Sequence, residues 1–223
     1  PLQFNDKNDL ARYPRHPEED QRMLREVGVD MLLMPENGTL FHNFKPKEYD
    51  LNGLDKLMEG ASRPGHFQGV VNVVERLFHY VRPDVAIFGE KDRQQLAVIR
   101  HAATQLRWPV QILGHPTVRD ADGLALSSRN QRLSPAERQL APVLYRALNA
   151  IKHAAFNASV DDALNAGRQV LAHVPSIELD YLTLVHPRTL LPLESWEGVQ
   201  EAVALIAAQV GPVRLIDNIT ISR

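Results

Sequence analysis

The sequence predicts an α/β fold in two parts: an open parallel sheet with crossover helices, then a small α+β unit built on an antiparallel sheet. Three observations carry this. Short apolar runs at Val85–Phe88 and Val110–Leu113 flank an amphipathic helical pattern, and strands separated by helices lie parallel. Strands read at Glu201–Ala208 and Val213–Ile219 are joined around Gly211-Pro212, too little chain for a crossover, so they form an antiparallel hairpin. Between the two patterns, Val118–Arg132 reads as loop, which places a boundary near Thr117 and defines parts 1–117 and 118–223.

In chain order, Pro1–Pro17 is polar and punctuated by prolines, an ordered loop or the tail of an element. Glu18–Val27 predicts a short helix, and Met31–Met34 an apolar strand stopped by Pro35 and Gly38. Thr39–Gly60 is mixed and predicts no element. Arg63-Pro64-Gly65-His66-Phe67 is a loop feeding a helix whose apolar stripe is Val70, Val71, Val74, Leu77 and Phe78. Val85–Phe88 reads as a short buried strand, and Gly89 lets the chain turn without a Cβ clash. Glu90, Lys91 and Asp92 then precede a helix with Leu96, Ile99, Ala103 and Leu106 at helical spacing, ended by Trp108-Pro109. The crossover from Val85–Phe88 to Val110–Leu113 is expected to be right-handed.

In the second part, Ser134-Pro135-Ala136-Glu137 starts a helix: serine as N-cap, proline at the first position, glutamate where a capping box needs it. That helix is expected to run to about His153. Another begins after Ser159 and ends near His173, and a strand follows at Ile177–Val185.

Composition excludes several classes. With 25 basic and 27 acidic residues the net charge is -2, which gives no sign of a nucleic-acid partner. The absence of cysteine excludes disulfides and thiolate metal sites and fits a cytoplasmic protein. The nine histidines never fall at HxH, HxxH or HxxxH spacing, which argues against a local zinc site. The longest apolar run, Ala202–Ala208, is far too short to cross a bilayer, and no charged-then-apolar leader is present. The chain opens on Pro1 and not on Met, as a piece of something longer would.

Candidate chemistry gathers at two places. Lys91 is a cation at a strand end, where open α/β sheets bind ligands. Ser127, Ser128 and Arg129 put two hydroxyls and a planar fork of donors into one loop. Together they suit a polyphosphate: a point charge, bidentate contacts and neutral donors. Asp92 suits ribose hydroxyls. Taken singly, each stretch also has an ordinary reading. Gly89–Asp92 is a solvated strand-to-helix connection, Ser127–Asn130 a loop before a helix, Arg63–His66 a turn, and Gln95 a helix residue facing water.

The combination narrows this. Pro1–Phe4, Asp9–Arg15, Met58–Phe67, Phe88–Asp92, Gln94–Leu96, Asp122–Asn130 and Arg214–Asn218 occur in the order, and nearly over the length, found in pantoate–β-alanine ligases, which the sequence closely resembles. The resemblance implies a Rossmann-like nucleotide-binding domain followed by a smaller lid domain. It implies a ligase that makes pantoyl adenylate from ATP and pantoate with Mg2+, then passes the pantoyl group to β-alanine. Carried over residue by residue, it assigns Gly89, Glu90, Lys91, Asp92, Val118, Leu126, Ser127, Ser128 and Arg129 to ATP. Lys91, Ser127, Ser128 and Arg129 would hold the developing charge, and Gly89 and Asp92 the ribose and adenine end. Gln3 and Gln95 match pantoate-binding positions, and Gln3 also borders β-alanine. Arg63 and His66 fall in a motif near the site. A homodimer is also implied, with no protein-bound metal.

Two departures matter. The family's His-x-Gly-His segment, which supplies ATP contacts and its proposed catalytic histidine, does not occur in these 223 residues. The resemblance therefore implies either that the first part of the Rossmann-like domain lies outside this sequence, or that the chain is a truncated nucleotide- or pantoate-binding module without chemistry. A parallel sheet without its first strands also leaves apolar surface uncovered. Arg93, secondly, stands where the family usually carries an aromatic residue.

Overall fold

The computed structural model describes residues 13–223, apart from the side chains of Asn37 and Gly38; the expectations for Gln3 and for Pro1–Arg12 lie outside the described residues. Helix α1 (Pro17–Glu26) carries proline and three acidic residues in its first turn and Arg25 in its last, charges that complement the helix dipole. Met31–Met34, expected as a strand, is irregular and exposed. Among the described residues no backbone hydrogen bond reaches these four, and a strand exists only where a neighbouring edge pairs with it. The stretch Thr39–Gly60, predicted to lack elements, is irregular except where two short helices overlap its ends, α2 (Asn37–Leu40) and α3 (Met58–Ser62).

Helix α4 (His66–Val81) begins after Gly65, whose positive φ of 78° suits glycine, and buries Phe67, Val70, Val71 and Val74. Strand β1 (Val85–Gly89) pairs in parallel with β2 (Gln111–His115), from Val85 opposite Gln111 to Gly89 opposite His115. Helix α5 (Arg93–Gln105) connects them. Its buried stripe is Leu96, Val98, Ile99, Ala102 and Ala103, whereas Leu106, expected in the stripe, lies past the helix end at the surface. The expectation of a buried β1 is also corrected. Its side chains alternate, so Phe88 joins the core with Ile112 under α4 and α5, while Val85, Ile87 and Leu113 are exposed.

In the second half Ser134 accepts from Glu137 N and Glu137 bonds back to Ser134 N, the expected capping box. The long helix expected from it is two: α6 (Pro135–Leu140) and α7 (Val143–Ala154). The break falls at Ala141-Pro142, because proline lacks an N–H and its ring crowds the carbonyl four residues back. Helix α8 (Val160–Ala172) is capped by Ser159 accepting from Asp162 N. Strands β3 (Ile177–Val185), β4 (Glu201–Val210) and β5 (Val213–Ser222) form an antiparallel sheet in that order. Gly211, at φ 55°, makes the β4–β5 turn.

This sheet is covered on both faces. Ala202, Ala204, Ile206, Ala208 and Val210 of β4 pack with α7 and α8 in one core. The alternate residues Val203 and Leu205 belong to a second core with Val71, Ile99 and Leu51 of the first half. Strand β5 follows the same period of two. Val213, Leu215 and Ile221 face the helices, and Arg214 and Asn218 reach across to the first half. No described helix is long and apolar enough to cross a membrane.

Candidate active site

The carboxyl end of β1 runs into one turn of 3-10 helix, Glu90–Asp92, and then α5. That turn leaves Lys91 half-buried and Asp92 exposed. A cleft of about 260 Å³ opens here between the two halves. Lys91, Asp92 and Arg63 line it from the first half, and Ser127, Arg129 and Arg132 from the second. Among the described residues Lys91 has no carboxylate within ion-pairing distance; Asp217, on which it acts at longer range, is already gripped by Arg119. Ser127 caps the 3-10 turn Ser128–Arg132 by accepting from Arg129 N at 3.3 Å, and the Arg129 guanidinium lies over the Tyr13 ring at 5.5 Å.

A smaller cavity of about 30 Å³ shares Glu59, Arg63, Lys91, Asp92 and Ile216 with this cleft. Gln95 and His66 line it, together with Phe67 and Tyr181. His66 is buried, and its Nε2 lies 3.2 Å from the Arg63 guanidinium. The fold therefore gathers Lys91, Asp92, Ser127 and Arg129 on one cleft, with Gln95, Arg63 and His66 beside it. Gly89, Glu90 and Ser128 frame the two turns without lining either cavity; Glu90 sits 3.7 Å from Arg93. Val118 and Leu126 are held together by a Leu126 N to Val118 O bond at 2.9 Å, with both side chains exposed.

Several residues near the site carried no role in the sequence reading. Arg214 donates to both oxygens of Glu59 (2.9 and 2.7 Å) and to Asp180 (3.0 and 2.6 Å). Tyr181 donates to Glu59 at 3.0 Å, and burial and the neighbouring Glu59 push its phenol well up from the ordinary value. Gln94 is buried; it donates to the carbonyls of Leu54 and Leu57 and accepts from Glu59 N, fixing the loop that presents Glu59. Arg119 donates to both oxygens of Asp217 at 2.6 and 2.9 Å. Burial pushes the Asp217 carboxyl up, and Arg119 only partly offsets it. No sequence spacing marks such pairs, because their partners lie on different elements far apart in the chain.

Among the described residues no group of three or more His, Asp or Glu is placed to hold a metal. A half-buried lysine on a sheet rim, with an arginine and a serine from the second half, lines one cleft of an α/β protein, and cationic side chains outnumber acidic ones there. A family model described as pantoate-beta-alanine ligase matches residues 1–220, and the chain belongs to that family. It is 49% identical over 223 residues to a pantothenate synthetase of Thermus thermophilus, covering 99% of this chain and 80% of that protein. A solved structure of the pantothenate synthetase from Thermus thermophilus matches with a TM-score of 0.94 at 50% identity, over 98% of this chain and 79% of that one. A Francisella tularensis pantoate-beta-alanine ligase, complexed with beta-gamma ATP and beta-alanine, matches with a TM-score of 0.76 at 29% identity, over 98% and 75%.

Proposed function

We propose that the protein condenses pantoate with β-alanine, using ATP, in the cleft between its halves. The observation that carries this reading is that Lys91 and Arg129, brought from opposite sides of Thr117, line one cleft beside the cavity that holds Gln95. In the first step a pantoate carboxylate oxygen attacks the α-phosphorus of ATP, and the bond to pyrophosphate breaks. In the second the β-alanine amine attacks the acyl carbon, a carbon–nitrogen bond forms, and AMP leaves with the electrons of the acyl–oxygen bond.

The chain's residues divide this work by chemistry. Lys91 and Arg129 hold phosphate oxygens as charge moves to pyrophosphate, with Ser127 and Ser128 as neutral donors. Gly89, Glu90, Asp92, Val118 and Leu126 run along the ribose and adenine. Gln95 and Gln3 bind pantoate, since an amide donates to a carboxylate and accepts from a hydroxyl without adding charge. Gln3 also borders β-alanine. Magnesium would be carried in on the substrate phosphates rather than in a site of the protein's own. When bound it neutralises phosphate charge. Parts 1–117 and 118–223 then act as a nucleotide-and-pantoate half and a covering half, in a cytoplasmic homodimer; light scattering at twice the chain mass would support the dimer.

The test is AMP release that requires both pantoate and β-alanine. A donor aimed at developing charge contributes about 2.7–4 kcal/mol, so Lys91→Ala is expected to slow adenylate formation about 100- to 1000-fold with the melting temperature unchanged. Unchanged turnover would remove Lys91 from the phosphate role. Nucleotide binding without any AMP release would mark a binding module in place of a ligase.

A further inference from the structure

We infer that Asn218, on β5 of the second half, is a positioning residue that sets Lys91 for catalysis. Its side-chain amide donates to two successive carbonyls of the charged turn, Glu90 O at 2.9 Å and Lys91 O at 2.8 Å. Both acceptors are backbone oxygens, so the NH2 end must face them. Two consecutive peptide planes held from one point fix the Cα of Lys91, and with it where the ammonium reaches.

Asn218 is itself held from behind. It is buried, its N–H donates to Asp217 Oδ1 at 2.7 Å, and its carbonyl accepts from Arg119 at 3.0 Å. Arg119 grips Asp217 with both arms, donates to Gly123 O and lies over the Tyr145 ring at 3.9 Å. Arg119, Asp217 and Asn218 thus form a rigid bracket on the second half. Successive strand residues point to opposite faces, so Asp217 anchors toward the helices while Asn218 reaches the turn. The bracket bears on Lys91 through two backbone carbonyls; Asp217 also lines the smaller cavity, whereas Asn218 lines neither.

This rests on the assignment of Lys91 to the nucleotide phosphates, and a double-mutant cycle separates the two. Asn218→Ala is expected to lower the rate of adenylate formation about 10- to 100-fold, the cost of displacing a catalytic group by about 1 Å, with the pantoate KM within about twofold. Asn218→Asp, equal in size but setting a carboxylate against two carbonyls, is expected to lose at least as much. In a Lys91→Ala background, Asn218→Ala is expected to cost less than about twofold, since residues acting as a unit are not additive. Should the alanine variant not fold, Asn218→Ser, which keeps a donor, takes its place in the cycle. Full multiplicative loss on top of Lys91→Ala, or no loss in the single variant, would overturn the positioning role. No effect of Lys91→Ala itself would overturn the functional reading instead.

Discussion

Lys91 owes its setting to the turn that carries it. A lysine on an open helix face would be a hydrated point charge; here it is half-buried beside Arg63 and opposite Arg129, on a cleft whose charge balance favours an anion. Gln95, one turn into α5, lines the smaller cavity, so Gln95→Ala is expected to raise the pantoate KM much more than the ATP KM. Equal effects in steady-state kinetics would contradict that placement. Asp122 offers a test that does not depend on function. Hydrogen bonding from Arg138 at 2.6 Å holds its carboxyl below the ordinary aspartate value, against a smaller desolvation effect. A depressed folded value means a contribution present above the unfolded value and lost as pH falls through the folded one. Arg138→Ala is expected to raise the Asp122 midpoint in an NMR titration.

At the scale of elements, the polar signals that resolve locally were legible. The Ser134 capping box and the Ser159 cap appear where the sequence puts them, and Ser134→Ala is expected to cost about 1 kcal/mol by thermal melting. The parallel pair β1–β2 and the β4–β5 hairpin were legible too, because period and turn residues write them into neighbouring positions. The split of α6 from α7 needed only Pro142, a signal present in the sequence. Met31–Met34 shows the opposite limit: an apolar run states that a segment suits a strand, never that an edge awaits it. The site was half legible for a similar reason. Lys91 and Arg129 stand in compact motifs, whereas Glu59 meets Arg214 across 155 residues and Asn218 meets Lys91 across 127. Helix α3 adds a backbone constraint. A Cβ at Gly60 would meet the Asp55 carbonyl oxygen, so Gly60→Ala must shift α3 and Glu59 with it. A loss of stability above the common value of about 1 kcal/mol is expected.

Across the whole molecule, the halves are joined by polar clamps as well as by core. Glu59 is 10% exposed and Arg214 29%, and Glu59 accepts from both Arg214 and Tyr181. Glu59→Ala would leave Arg214 with its exposed partner Asp180 and Tyr181 without its acceptor. It is therefore expected to cost less than a buried charge left wholly unpaired, on the order of 1–3 kcal/mol, read as a fall in denaturation midpoint. If the variant melts like the parent, the clamp adds nothing to stability.

Strand β4 has helices against one side and the first half against the other, with a paired strand along each edge. Water can reach its amide protons only when a flanking strand peels away, and β3 and β5 are themselves packed into these cores. In deuterium oxide, the centre of β4 should therefore keep its hydrogen longest and report the opening of the entire chain, while α1 and the Met31–Met34 segment deuterate early.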